Sequence, residues 1–251
     1  MHVEVTDDAD VEEFTFQGAT IVAETHGAGA RTFVLVHGIG MGRKVFVDLI
    51  RLLEREATVI AIDLPGYGDA PEPERTPTIE RMADLVAAYL RHRVLTDPVL
   101  VGHSMGTQVV AEIAVRHPGL SDHIVLAAPT VDDTARSARR QLIRLGRDLL
   151  RESPKVLVLG AREYVRAGPH LRRKIRAMLV HRPEDAYPRI RARTLVLRGE
   201  DDVVCPDAWC SRVARAIPDA WLASVPDHGH ETMISDAGPA WELIRAWLAE
   251  T

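Results

Sequence analysis

A serine with a glycine two residues away on either side, Gly102-His103-Ser104-Met105-Gly106, is the segment of this chain whose residue types and spacing best suit covalent chemistry. A serine hydroxyl is a weak nucleophile near neutral pH. It needs a base to take its proton, a carboxylate to orient that base, and N–H donors for the oxyanion formed when it attacks a carbonyl. The pentapeptide stands between the apolar run Pro98-Val99-Leu100-Val101 and a helical stretch over 107–116. A strand enters, a helix leaves, and the serine sits on the bend. Small residues at the flanks let strand and helix approach closely, and the strain of such a turn lifts the hydroxyl clear of the sheet. The helix N-terminus then points at whatever the hydroxyl attacks. Without its surroundings the same segment reads as a glycine-rich turn with a serine N-cap.

A candidate for each helper follows a predicted strand or turn. Pro226-Asp227-His228-Gly229-His230-Glu231 offers the base: Gly229 lets the loop bend so that the ring of His230 faces the serine, with His228 as competitor. Arg198-Gly199-Glu200-Asp201-Asp202 offers the carboxylate, from Asp201 or Asp202, and its plainer reading is a solvated loop with Asx turns. Oxyanion donors are expected from the backbone N–H of Met105, at the start of the helix, and of Ile39, in His37-Gly38-Ile39-Gly40-Met41-Gly42. That last turn could instead cradle phosphate, but it lacks the Lys-Ser/Thr ending of a P-loop and the glycine spacing of a dinucleotide site. His92, His117, His123, His170 and His181 read as exposed or helix-terminal residues.

A sheet must hold these groups together. A hairpin is predicted over 14–24, then strands at 32–36, 58–62, 98–101, 124–127, 194–197 and 221–225, with helices near 45–55, 79–91, 107–116 and 239–249. Continuous apolar strands alternating with amphipathic helices predict the α/β class, a mostly parallel sheet covered by helices on both faces. Open sheets of this kind gather functional loops at the carboxyl ends of their strands, where distant residues meet. Trp209, Trp221, Trp241 and Trp247 fit core positions.

The alternation stops after the fourth of those strands. Residues 132–193 carry 17 Lys/Arg against 7 Asp/Glu, whereas the rest of the chain carries 14 against 29. The segment reads as Arg-rich helical stretches broken at Pro154, Gly168-Pro169 and Pro183, with a short apolar run at 155–160 that periodicity does not assign. The expected division is a core of 1–131 and 190–251 with a basic helical insertion at 132–189.

These features together resemble the α/β-hydrolase superfamily. The order Ser104, Asp202, His230 is the superfamily's order of nucleophile, acid and histidine, and it favours Asp202 over Asp201. His37-Gly38 resembles its oxyanion loop, and Asp63-Leu64-Pro65-Gly66-Tyr67-Gly68 its D-x-P-G-x-G turn. Gly199, Asp202 and Pro206 resemble its acid loop, and Gly229-His230 its histidine loop. The likeness spans roughly 14–248 apart from the basic insertion. It departs at Asp69-Ala70, where Arg or His followed by Ser is frequent, and at Thr107, where a further glycine is common. An aspartate nucleophile is absent, which argues against the dehalogenases and epoxide hydrolases of this fold.

The resemblance implies acyl transfer to water through a Ser104–His230–Asp202 triad, with a small-molecule ester as the expected substrate. C–C bond hydrolysis, thioesters and lactones suit the same groups. A non-catalytic binder, and a haloperoxidase-like enzyme or cyclase, are readings from other classes. The insertion falls where the superfamily carries a cap that lines the substrate pocket, so 132–189 is expected to contact substrate. Its charge favours an anionic one, the plainer alternative being solvated helices paired to the acidic core.

Bulk composition fits that reading. The 251 residues, 46% hydrophobic and 27% charged with net charge −5, suit one α/β domain with a modest insertion. Cys205 and Cys210 are too few for a disulfide framework or a metal set and are expected to be reduced thiols. The acidic N-terminal stretch lacks an apolar signal region, and no run approaches the roughly 20 apolar residues that span a bilayer. A cytoplasmic location is expected, with a small-molecule partner, neither nucleic acid nor membrane, and no cofactor or metal.

Overall fold

Eight strands form one sheet in the order β1-β2-β4-β3-β5-β6-β7-β8 in a computed structural model, which describes residues 10–136 and 170–250. The first two, β1 (Asp10–Phe16) and β2 (Ala19–His26), make an antiparallel hairpin, and β2 pairs antiparallel with β4 (Thr58–Asp63). The hairpin turn, Gln17-Gly18, has both residues at positive φ, as a two-residue turn that follows the twist of its strands requires. The strands β3 (Thr32–Val36), β5 (Val99–His103), β6 (His123–Ala127), β7 (Arg193–Gly199) and β8 (Ala220–Val225) continue the sheet in parallel.

The strand runs are continuously apolar because both faces are buried. In β3 Val34 and Val36 join one cluster while Phe33 and Leu35 join the other, and β6 splits Ile124 and Leu126 from Val125 and Ala127 in the same way. The first cluster is covered by α2 (Ile79–His92), α3 (Met105–Arg116) and α6 (Asp207–Ala216), the second by α1 (Val47–Leu53) and α7 (Gly238–Ala249). Thr78 caps α2 by accepting the Arg81 N–H at 3.3 Å, with Glu80 in the first turn and Arg91 in the last, the charge order that the helix dipole favours.

Three expectations need correction. The helix expected near 45–55 opens as a 3-10 turn, Arg43–Phe46, and α1 proper is shorter. Helix α6 was not anticipated, although Pro206 precedes it and Trp209, Val213 and Ile217 recur at four-residue spacing toward the core. Trp221 is not a core residue: it is 41% exposed on β8, the last strand of the sheet, with the Arg193 guanidinium 4.4 Å from its ring centroid. An edge strand lacks the second covering layer that encloses β3 to β6.

Most of the basic insertion, including 155–160, lies outside the described residues. Its described ends contain a 3-10 turn at Asp133–Ala135 and the helices α4 (Leu171–Val180) and α5 (Pro183–Ala186). The second of these ends, and Thr130 just before the first, are stitched to α3. The Gln108 amide donates to the carbonyls of Thr130 (3.0 Å) and Met178 (3.2 Å), and one turn further Glu112 meets His181 Nε2 at 3.0 Å. His181 does end α4, as expected, but it is buried. Lys174, only 1% exposed, reaches the Glu72 carboxylate at 2.7 Å and the Gly66 carbonyl, with its ammonium 4.5 Å from the Tyr67 ring centroid.

A buried charge cluster ties the loop after β3 to the turn after β4. Asp63 accepts the Arg43 N–H at 2.5 Å, the Arg43 guanidinium, and the Asp69 N–H at 2.8 Å; Arg43 also reaches Glu24 at 2.5 Å and Asp69 at 2.9 Å. Removing one member of such a cluster strands a buried charge. Asp63→Ala is expected to lower the unfolding free energy by about 3 kcal/mol, the low end for a broken buried pair because Glu24 and Asp69 stay on Arg43. Urea unfolding measures it, and a loss under about 1 kcal/mol would show that the cluster does not anchor the two loops.

Candidate active site

Ser104 lies between β5 and α3 at φ 52° and ψ −118°, a conformation that a residue with a Cβ adopts only under strain. Its N–H donates to the Ala127 carbonyl at 2.9 Å, and its own carbonyl accepts from the Thr107 N–H (3.0 Å) and hydroxyl (2.6 Å). Thr107 thus has a task where a further glycine would have none. Gly106 is required by close approach: a Cβ there would collide with the carbonyl oxygen of Val36 in β3.

Three of the expected residues meet at the carboxyl ends of β5, β7 and β8. The Ser104 hydroxyl is 3.0 Å from His230 Nε2, and His230 Nδ1 is 3.0 Å from Asp202 Oδ2. A carboxylate only accepts, so Nδ1 carries the proton and Nε2 presents its lone pair to the hydroxyl. The other carboxylate oxygen of Asp202 accepts the N–H groups of Val204 (2.7 Å) and Cys205 (2.8 Å). Burial opposes charge on Asp202, but the facing imidazole and these hydrogen bonds prevail and hold its carboxyl below the usual carboxylate range.

The competitors lie elsewhere. Asp201 is exposed, and its N–H donates to the His228 carbonyl at 2.9 Å. His228 is turned into its own loop, with Nδ1 2.6 Å from the Pro226 carbonyl and Nε2 3.1 Å from that of Asp236. Two carbonyls facing two ring nitrogens ask for two N–H donors. Burial disfavours the cation, but those acceptors outweigh it and raise the pKa of His228.

The loop after β3 runs against the elbow, where a Cβ on Gly38 would lie 3.0 Å from Ser104 Cβ. Ile39 therefore borders the nucleophile, and Met105 opens α3, so its N–H is among those without an intrahelical carbonyl. His37 holds the loop: its Nε2 accepts the Leu64 N–H at 3.0 Å and its Nδ1 donates to the Gly38 carbonyl at 2.7 Å. Tyr67 stands edge-on to His37 at 5.1 Å between centroids, and its hydroxyl is 3.7 Å from Met105 Sδ. Asp202, Cys205 and His230 bring ligand-type atoms within 4.8 Å of one another. Those atoms are already engaged, since Cys205 Sγ lies 3.0 Å from the Pro129 carbonyl and the other two belong to the serine–histidine–aspartate line. Burial pushes the Cys210 thiol up to about 12, far from a reactive thiolate.

Among known proteins, residues 33–241 match the alpha/beta hydrolase family. The chain is similar to the putative carbamate hydrolase RutD of Pseudomonas syringae, at 27% identity over 88% of this chain and 95% of that protein. An uncharacterized hydrolase of Bacillus subtilis, YugF, is 36% identical over 119 residues, 46% of this chain but only 43% of that protein. Among solved structures, a thermophilic esterase from Thermogutta terrifontis superposes with a TM-score of 0.83 over 96% of this chain and 99% of that one, at 24% identity, a likeness of fold. No described helix is long and apolar enough to cross a membrane.

The His228 loop yields a pH prediction. A pKa raised on folding contributes stability that is present below the unfolded histidine value, about 6.5, and lost as pH rises through the folded value. His228→Ala should therefore lose more unfolding free energy at pH 5.5 than at pH 8.5. Equal losses in urea titrations at the two pH values would contradict the doubly donating ring.

Proposed function

The chain belongs to the alpha/beta hydrolase family, and from that premise we propose that it is a serine hydrolase cleaving a small-molecule ester through an acyl-enzyme on Ser104. One observation carries the reading: the unbroken line from the Ser104 hydroxyl through His230 to Asp202, each contact 3.0 Å. In this reading His230 Nε2 takes the Ser104 proton as Oγ attacks the carbonyl carbon. The oxyanion accepts hydrogen bonds from the Met105 and Ile39 N–H groups, which would contribute on the order of 10²-fold each. The tetrahedral adduct collapses, His230 returns the proton to the leaving oxygen, and a water activated by the same imidazole releases the acid. Asp202 stays ionised throughout, fixes the tautomer and stabilises the imidazolium.

The basic insertion supports an anionic substrate. Its described part and the start of α2 border a cleft of about 770 Å³ whose lining includes Arg75, Arg116, Arg173, Arg176, Arg182 and Arg189 against four carboxylates. Arg116 is paired with Asp84, whereas no ion pair to Arg75, Arg173 or Arg176 occurs among the described residues. Such a surplus attracts carboxylate-bearing molecules to this face of the protein, two to three turns of α3 away from Ser104, and does so less at high salt. In this proposal 132–189 forms the cap over Ser104. A second reading, hydrolysis of a carbamate or related C–N acyl bond, is favoured by the near full-length likeness to the putative carbamate hydrolase. The same groups serve both, with His230 then protonating a leaving nitrogen.

The test is a panel of neutral and carboxylate-bearing p-nitrophenyl esters, thioesters, lactones and carbamates, read with Ser104→Ala as control. The expected outcome is labelling of Ser104 by a fluorophosphonate and a drop in turnover of about 10⁴-fold or more in Ser104→Ala. A Ser104→Ala protein that keeps full hydrolytic activity, or a native protein that resists the probe, overturns the proposal. For the favoured substrate, kcat/KM should fall as salt rises when it carries a carboxylate and stay level when it is neutral.

A further inference from the structure

His103 sits beside the nucleophile in sequence and has no part in the acyl-transfer scheme, yet it is fully buried at the end of β5. Its Nε2 lies 2.8 Å from the main-chain carbonyl of His230, 127 residues away. A carbonyl oxygen only accepts, so Nε2 carries the hydrogen and Nδ1 the lone pair. That Nδ1 is buried without a hydrogen-bond partner among the described residues and faces the backbone of Gly38, where a Cβ would lie 3.3 Å away. The rings of His103 and His230 are 5.4 Å apart between centroids at 50°. The Thr232 hydroxyl also donates to the His230 carbonyl, at a longer 3.3 Å.

We propose that His103 is a positioning residue: its Nε2–H grips the main chain of His230 and so sets the distance between the base and the adjoining Ser104. The inference rests on the reading of His230 as base. Nucleophile and base come from different loops, and the bond from the His103 ring to the His230 carbonyl links residue 230 directly to the neighbour of Ser104. An apolar ring would fill the same space without holding that carbonyl. A glutamine could supply the amide N–H but not the ring.

The surroundings keep the grip constant. Among the described residues, the charged groups that act most on His103 are His230, Asp202 and Glu231. Burial first, and then the positive charge that His230 acquires, lower its pKa to about 4, against a weaker upward pull from the His230 carbonyl and the two carboxylates. A neutral ring places no second cation beside the imidazolium of His230. It also keeps the hydrogen on Nε2 across the neutral pH range.

The experiment compares His103→Phe and His103→Gln with the native protein on the best ester of the panel. His103→Phe should lower kcat by about 10- to 100-fold with KM within about twofold, the scale expected when a reacting group is misplaced by a fraction of an ångström to an ångström. It should also move the acid limb of the kcat/KM profile and slow fluorophosphonate labelling to the same degree. His103→Gln should recover most of the loss, which a purely space-filling role would not allow. A kcat within twofold of native in His103→Phe with an unmoved pH profile, or a glutamine variant no better than the phenylalanine, overturns the proposal. Imidazole nitrogen NMR of the native protein tests it without any variant: His103 should be the neutral Nε2–H tautomer from pH 5 to 9. An Nδ1–H tautomer, or titration within that range, overturns it too. His230→Ala separates the two levels. Hydrolysis that survives it removes the base and this proposal together, whereas hydrolysis lost there but untouched in His103→Phe removes this proposal alone.

Discussion

A serine held at φ 52° and ψ −118° would relax to an ordinary conformation in a free peptide, and such strain amounts to about 1–3 kcal/mol. The strained turn is the constraint on which the rest depends, because it aims the hydroxyl away from the sheet and α3 toward the reacting atoms. It persists because its neighbours leave it no alternative. Gly106 lies against the Val36 carbonyl, the Ser104 N–H is committed to Ala127 in the next strand, and Thr107 ties off the Ser104 carbonyl from the other side. Each contact reaches a different element: β3, β6 and α3. The turn is therefore as rigid as the sheet that surrounds it.

The same sheet brings the other loops to the elbow. Parallel strands end together at one edge, and β3, β5, β7 and β8 deliver the His37–Gly38 turn, Ser104, Asp202 and the His230 loop there. Loops by themselves are soft, and here buried polar contacts stiffen them. The Asp63–Arg43 cluster and the Leu64–His37 bond hold the loop after β3 to the turn after β4. Gln108 and Glu112, one and two turns along α3 from Ser104, hold the second described end of the basic insertion and Thr130 just before its first. The helix that carries the nucleophile also carries the insertion's moorings, so a shift of one is felt by the other.

The sheet and most helices were legible because strands buried on both faces leave continuous apolar runs, and helices with one buried face leave a four-residue period. Helix α6 follows the same rule through Trp209, Val213 and Ile217, but its 10 residues come directly after the loop-like stretch around Cys205 and Pro206, so the period repeats too few times to stand out. Trp221 misled for another reason: a strand's place at the edge of a sheet is set by partners far away in sequence, not by its own residues. The serine, histidine and acid were legible because each occupies a short motif with a glycine nearby. The contacts of His103, Gln108 and Glu112 were not, since their partners lie 127, 22 or 70, and 69 residues off and no local pattern marks them.

Four histidines line the loops around Ser104, and hydrogen-bond partners alone distinguish them. His37 accepts at Nε2 from an N–H and donates at Nδ1 to a carbonyl, so it serves as a spacer between two loops. His103 donates at Nε2 to a carbonyl and turns its lone pair onto buried backbone, where no proton donor among the described residues reaches it. His228 faces two carbonyls and favours the cation, which has no lone pair to offer. His230 alone among these four has a carboxylate on one nitrogen and a hydroxyl on the other. A base for serine needs a lone pair aimed at the hydroxyl and a partner that gains strength when the ring becomes charged; an ionised carboxylate does so far more than a carbonyl. The chemistry proposed for Ser104 thus follows from where the protons must sit on these rings.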